Sequence, residues 1–420
     1  EIELHAVSDS DGDNDEYADV GLISSKNPRE NESKSKHLAG NWRTFINTVL
    51  SFIGAGILSL PNAFKIGGLY LSIAMLVLAS IGSMYCMYLL VLCKRLLASK
   101  KVESYSDVCH HSLGRVGLVL VESSLVITQS SFSISYLIFI GKNVHQVLGI
   151  SQSFVVLCCM PFLIGLCQYQ HPKYLAPFSL AAELVNILGI FIILLSDVDT
   201  IRANHEAVTA ANWPALPFIS GVFLYCFEGM GMILSLESNA LKKESFVPIL
   251  SSVVFIYACI CALMGAFGYM AYGEDTKDIV LLNIANDNFY SFAVKLSFCF
   301  GLYFTYPLMM LPVWDVIEPK LNIKKLNQIN RRFVRLSGVC LTGLIASVIP
   351  SFSLFIGLVG SSCCSLLAFI LPPLAHMSIL KSRNIEVSLW QKLINYGLIL
   401  AGILAGVTGT IESLTELIKS

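Results

Sequence analysis

Eleven runs of roughly 20 mostly apolar residues divide this 420-residue chain, and about 20 such residues are what one helix needs to cross a hydrocarbon layer. They fall at about 43–64, 69–93, 116–141, 153–170, 174–197, 215–236, 247–273, 289–313, 334–349, 352–380 and 394–416. Within a bilayer a backbone must satisfy its own polar groups, which leaves helices and closed barrels. Runs this long and apolar all round predict helices, and the short loops between them predict one bundle. Composition agrees. Only 14% of residues are charged and 55% are hydrophobic, whereas soluble domains carry about 25% charged residues. The chain therefore cannot coat several soluble domains. That excludes a soluble enzyme, a nucleic-acid binder and a disordered scaffold. A net charge of −1 shows no preference for a polyanion. The 13 Cys lie in apolar runs without CxxC pairs, so neither a metal site nor a disulfide framework is expected.

Residues 1–40 are a different material, a predicted disordered tail on the cytosolic side. Asp9, Asp11, Asp13, Asp15, Glu16 and Asp19 make it acidic, and a Lys/Ser-rich stretch follows. Being polar, it is not expected to act as a cleavable signal peptide. Asp19-Val-Gly-Leu22-Ile23 has the form of an acidic-dileucine sorting signal, and Asn31-Glu-Ser33 fits a glycosylation sequon. Lys and Arg give the orientation. With the N-terminus in the cytosol, 22 of the 28 Lys and Arg fall on the cytosolic side, 5 on the other and Lys295 inside the eighth run. The sequon would then go unused.

Two runs carry matching glycine pairs. The first contains Phe52-Ile-Gly54-Ala-Gly56, the sixth Phe227-Glu-Gly229-Met-Gly231. A shift of 175 residues superposes Phe52, Gly54 and Gly56 on Phe227, Gly229 and Gly231. Five spans separate the two starts, so the second copy is inverted. Paired glycine-interrupted spans mark transporters built from inverted repeats. A broken helix offers N–H groups and a positive dipole end to a carboxylate, and free carbonyls to an ammonium. The pair therefore suits an α-amino acid. The plainer alternative is glycine as a packing residue between helices.

A charge inside a bilayer is costly and needs a reason. Glu228 lies in the second break, where it either caps free N–H groups or serves a proton-coupled gate. Glu183 and Asn186 share one face of the fifth run. They form a structural pair or a carboxyl that takes up and releases a proton. Glu122 is expected to be wet, Glu237 to make a loop contact and Lys295 to snorkel. His110 and His111 are expected in a cytosolic loop. Hydroxyl-rich stretches, Thr128–Ser133 and Tyr303–Thr305, either bond within their helices or line a pocket.

Several motifs point to one family. They are Ile53-Gly-Ala-Gly-Ile-Leu-Ser-Leu-Pro61-Asn-Ala-Phe64, Tyr136-Leu-Ile-Phe-Ile-Gly141, Phe227-Glu-Gly-Met-Gly231, Gly268-Tyr-Met-Ala-Tyr-Gly273 and Phe304-Thr-Tyr-Pro-Leu-Met309. Over residues 40–416 the chain resembles the amino acid/auxin permease family, in particular the plant branch with aromatic and neutral amino acid transporters and vacuolar amino acid transporters. Asn62 and Lys295 depart from that branch and bear on substrate range. The resemblance implies an all-α membrane protein of about eleven spans: a leucine-transporter-like 5+5 inverted repeat plus one helix. Repeat 1 covers about 41–197, repeat 2 about 215–380 and the extra helix about 394–416.

It also implies proton-coupled secondary active transport of neutral or aromatic amino acids, with no cofactor beyond the proton. A vacuolar membrane is the expected location. The substrate carboxylate is expected at the N–H groups of Gly54, Ala55, Gly56 and Ile57. The ammonium is expected at carbonyls of Ser51, Tyr225, Cys226 and Phe227, beside Gly229. Tyr136, Phe227 and Thr305 would shape the side-chain pocket. Glu183, with Asn186, leads for proton coupling and Glu228 follows. The alternatives are an auxin carrier of the same family, or a sensor that binds an amino acid without net transport.

Overall fold

A computed structural model describes residues 39–97, 102–168, 176–203, 206–284, 289–321 and 328–419. The acidic stretch, the dileucine-like motif and the sequon lie outside the described residues. The first run is two helices, α1 (Asn41–Phe52) and α2 (Leu60–Gly67), joined through a 3-10 turn at Ala55–Ser59. Then come α3 (Leu69–Leu96), α4 (Tyr105–Leu148), α5 (Gln152–Cys167) and α6 (Ala176–Ala203). The sixth run is again split, into α7 (Leu216–Cys226) and α8 (Met230–Asn239). The chain continues through α9 (Phe246–Tyr272), α10 (Phe289–Lys320) and α11 (Gln328–Val348). It ends with α12 (Phe352–Val359), two π-helical turns over 360–370, α13 (Leu371–Ser382) and α14 (Leu389–Lys419).

Eight helical stretches among the described residues are long and apolar enough to cross a membrane, counting α7 with α8 as one and α12 through α13 as one, and α1 with α2 makes a ninth span bent by 46°. α5 has only 16 residues, and α11 opens on Arg331, Arg332 and Arg335. Both stand where the fourth and ninth spans were expected, yet fall short on length or composition. Ser351 separates α11 from α12 by capping, its Oγ accepting from the Leu354 N–H at 3.4 Å. The loop expected at His110 and His111 is corrected. His110 and His111 belong to α4, whose first turns begin with a capping box at Ser104 and Asp107. The helix kinks at Gly114, where φ is +69°.

The two broken spans run antiparallel. At one end Ala39 bridges Ala240, with Leu241 N–H donating to the Ala39 carbonyl at 2.9 Å. At the other end Asn212 N–H donates to the Gly67 carbonyl at 2.8 Å. α10 packs against both α4 and α6, and α9 lies across α1, α2, α3 and α6. The outer faces are apolar; Phe255 on α9 and Leu400, Leu404 and Ile411 on α14 are exposed. In lipid such faces cost nothing, and exposed Trp42, Trp390, Trp213 and Tyr70 stand near helix ends, as an interfacial belt requires.

Ion pairs tie helices together near the Ala39–Ala240 end. Lys94 Nζ meets Glu237 at 2.7 Å and Lys320 meets Glu122 at 2.5 Å, so these acids are neutralised across helices. Arg335 on α11 is buried, donates to Glu318 of α10 at 2.7 Å and to the Cys167 carbonyl of α5 at 2.9 Å. Arg331 takes the other Glu318 oxygen at 2.6 Å. Arg335→Ala leaves a buried carboxylate half-paired and a helix end uncapped. It is expected to destabilise by about 3 kcal/mol, read as a lowered melting temperature of the purified protein. Lys295 does not snorkel. It is buried and donates to Gln146 Oε1 at 3.0 Å and the Ile284 carbonyl at 2.7 Å.

Candidate functional site

The two breaks meet in the middle of the bundle. α1 ends at Phe52; Ile53 and Gly54 are extended, and the 3-10 turn starts at Ala55. α7 ends at Cys226 and α8 starts at Met230. At Gly54 φ is −150° and at Gly229 it is −155°, so neither break needs the left-handed region. The glycines serve close approach instead. A Cβ on Gly56 would stand 3.1 Å from the Tyr225 ring and 3.3 Å from Cys226 Sγ. One on Gly229 would stand 3.2 Å from the Phe52 ring. Each break is thus seated on an aromatic side chain of the other.

A cavity of about 50 Å³ lies between them, room for a few water-sized spheres. Ser51, Gly54, Ala55, Gly56, Tyr225, Cys226, Glu228 and Gly229 of the two broken spans are in its wall, with Tyr136 of α4. Ile57, Phe227 and Thr305 are not in the wall, a correction to the expected pocket. The Phe227 ring turns behind the break and packs edge-on against Tyr257, with centroids 5.5 Å apart. Ile57 is fully buried in the core.

Other wall residues escape a sequence reading. Gln129 and Phe132 fall in the hydroxyl-rich stretch, which was a usable signal. Phe132 stacks edge-on to Tyr225 at 4.8 Å, and Tyr225 Oη lies 2.9 Å from Ser135 Oγ. Tyr257 sits in a uniformly apolar run that gives no hint of a polar role. Met232 and Met309 complete the wall with flexible, polarisable side chains.

The breaks differ electrostatically. A helix start leaves N–H groups without intrahelical acceptors, and a helix end leaves carbonyls. At the second break Glu228 supplies the acceptor, its carboxylate taking the N–H groups of Met230 and Gly231. Its Oε1 has no hydrogen-bond partner. At the first break no side chain caps the turn beginning at Ala55. Open donors therefore lie at Gly54–Gly56, while at the end of α7 the Tyr225 carbonyl accepts the Glu228 N–H at 3.4 Å and keeps a second lone pair. The wall holds no Lys, Arg or His. Such a cavity matches a zwitterion better than a net anion, which would need a cationic side chain.

A second polar cluster stands apart from the cavity wall. Glu183 is 6% exposed. Thr305 Oγ1 donates to its Oε1 at 3.3 Å, and Asn186 Nδ2 to its Oε2 at 3.4 Å. The same Thr305 hydroxyl lies 2.9 Å from the Gly301 carbonyl, so its single proton serves one of the two acceptors at a time. The expected Glu183–Asn186 pair thus exists, and Thr305 joins it rather than the pocket. Tyr136 stands between the two places: it lines the cavity and lies near Glu183.

The profile of the family described as transmembrane amino acid transporter protein matches residues 37–415. Amino acid transporter AVT3B of Arabidopsis thaliana is 32% identical over 413 residues, covering 92% of this chain and 96% of its own. Amino acid transporter ANT1 of the same plant is 32% identical over 399 residues, covering 89% and 91%. Among solved structures, a Na+-coupled sialic acid symporter in a substrate-bound outward-open state shares the fold, with a TM-score of 0.56 at 11% identity. That match covers 91% of each chain. The leucine-transporter-like, all-helical fold expected above is the fold of this chain.

Proposed function

The chain belongs to the transmembrane amino acid transporter family, and from that premise we propose that it moves neutral and aromatic amino acids by proton-coupled alternating access. The observation that carries this reading is the cavity at the crossing of the two breaks. The substrate carboxylate takes the uncapped N–H groups at Gly54–Gly56, where the dipole end is positive. The ammonium takes the carbonyls at the ends of α1 and α7, near Ser51 and Tyr225. Glu228 keeps the N–H groups of the second break occupied, so the carboxylate has one place to go. The side chain then faces Phe52, Phe132, Tyr225 and Tyr257, a wall suited to apolar and aromatic groups.

The geometry of the broken spans supports alternating access. α2 and α8 are the half-helices that can swing about the breaks while α4, α6 and α10 stay packed. Glu183 is the coupling carboxyl in this reading. It bonds to Thr305 of α10 and neighbours Tyr136 of α4, so its charge state reaches the cavity through one residue. The N-terminus is placed in the cytosol on the Lys and Arg distribution, which puts the Ala39–Ala240 end there too. The membrane assigned is the vacuolar one, following the resemblance to plant vacuolar transporters.

Uptake of radiolabelled amino acids into proteoliposomes under an imposed pH gradient tests the reading. Accumulation that follows the gradient is expected. Accumulation indifferent to it removes proton coupling, and binding without flux leaves an amino-acid sensor. Gly56→Ala tests the crossing itself. Its methyl meets Tyr225 and Cys226 at 3.1–3.3 Å, tighter than ordinary contact. The cost of about 1–2 kcal/mol falls on the bound geometry, so the half-saturating substrate concentration should rise about tenfold at normal expression.

A further inference from the structure

Asp197 is the buried acid that the site above leaves unused. It lies on α6, about 21 Å of helix beyond Glu183 at 1.5 Å per residue, toward the Gly67–Asn212 end. It is 0% exposed, and neither carboxylate oxygen has a partner at hydrogen-bonding geometry. The neighbouring helices bring it little. From α9 the Tyr272 hydroxyl faces it, and that hydroxyl also meets Thr200 one turn on along α6. From α2 the nearby group is Pro61. α10 turns Phe298 and Gly301 toward α6 at Gly189 and Asn186, with no titratable group among them. Arg202 is exposed and pairs with Asp199 at 3.8 Å. Among the described residues, then, no cation neutralises Asp197. An ionised carboxylate so placed costs several kcal/mol, so the shut structure holds the acid form.

The position gives that proton a use. Asp197 lies under the seam where α2 meets α9. A Cβ on Gly268 of α9 would stand 2.5 Å from Pro61 of α2 and 3.5 Å from Asp197 Oδ2. Beside the seam, Lys65 of α2 holds the Glu274 and Thr276 carbonyls of the loop after α9. Parting the seam frees the outer half of the first span and lets water reach the carboxyl.

We propose that Asp197 is a second proton-carrying residue of the transport cycle. It keeps its proton while the α2–α9 seam is shut. It gives that proton to water at the Gly67–Asn212 end when the seam parts, and must regain one before the seam closes again. Protonation therefore favours the shut seam, and a higher pH on that side favours the open one. The proposal rests on the alternating-access reading of the preceding section.

The test is alkylation of Ala63→Cys, a position on α2 that is 1% exposed in the shut seam. The full chain in proteoliposomes receives a membrane-impermeant maleimide from the Gly67–Asn212 side across a pH series. Background from native thiols is taken from the parent without A63C. The reagent's own pH dependence cancels in ratios between variants at one pH. Labelling relative to Asp197→Asn is expected to rise up to about tenfold per pH unit below the midpoint, with Asp197→Asn staying low. Tyr272→Phe removes one oxygen and is expected to fold. Losing a hydroxyl that faces the carboxyl and favours its charged form should move the midpoint about one pH unit toward alkaline. Glu183→Gln should keep the profile. A pH-dependent profile surviving in Asp197→Asn overturns the proposal, as does a Tyr272→Phe midpoint that stays in place or a profile abolished by Glu183→Gln. Gradient-driven flux in the same vesicles is read separately. Its absence beside an intact labelling profile rejects proton-coupled transport and leaves the Asp197 titration standing.

Discussion

Glu183→Gln abolishes uptake driven by a pH gradient and spares exchange of labelled for unlabelled amino acid. That is the expected result, and the local geometry says why the two activities separate. The amide has the shape of the acid, so its oxygen still accepts from Thr305 Oγ1, now at 3.3 Å. The contact to Asn186, 3.4 Å in the structure, is already long and loses little. Packing of α6 on α10 is therefore kept, and the cavity walls with it. What is lost, in the proposed cycle, is the ability to hold a proton on one side and release it on the other, the step that would tie substrate movement to the gradient. Exchange needs only the loaded carrier to reorient. Glu183→Asp, which retains the carboxyl, should retain part of the driven uptake. Concentrative uptake unchanged in Glu183→Gln takes this residue out of the mechanism.

Gly360→Ala should be the most destabilising of the single methyl additions considered. Gly360 opens a π-helical turn and faces Gly221 of α7. A Cβ there falls on the Gly221 carbonyl oxygen and within 3.0 Å of the Tyr225 Cβ. The obstructing atoms are backbone, so no rotamer change relieves the overlap. α7 and the π turn must separate, and Tyr225 moves with α7 out of the cavity wall. The expected loss is at least about 3 kcal/mol, with transport lost in whatever protein survives. Gly397→Ala is the control. Its Cβ meets nothing within 4 Å, and it lies inside α14. There the substitution should stabilise by up to about 1 kcal/mol through helix propensity. Thermal denaturation of the two purified variants checks both signs, and equal melting temperatures would contradict the close-approach argument.

The spans and their two interruptions were legible because their causes are local. Hydrocarbon thickness sets the length of an apolar run, and the 175-residue offset between glycine pairs repeats one local need for space. α5 and α11 show the limit of that ruler. A short helix and an Arg-rich one still fold into the bundle, because Gln152 bonds across to the Ala346 carbonyl and Arg335 bonds to Glu318. Those partners are 194 and 17 residues away, and no window of sequence contains both sides of the first. The same reason hid the aromatic wall. Phe227 and Tyr257 are both apolar-span residues, and only packing against each other sends Phe227 away from the cavity and leaves Tyr257 on it.

Asp197 and Glu228 mark the same boundary in the polar groups. Each reads from the chain as an acid in or near an apolar run. Glu228 finds backbone donors two and three residues away, at the start of α8, so its capping role was in sight beforehand. Asp197 owes its character to α2 and α9, which arrive from 136 residues before and 71 after it, at Pro61 and Gly268. The chain alone therefore specifies a membrane-spanning bundle with two inverted breaks, since bilayer thickness and backbone satisfaction act residue by residue. Folding adds which side chains face the gap between the breaks and which acids lack a partner, since those depend on distant helices coming within a few ångströms of one another.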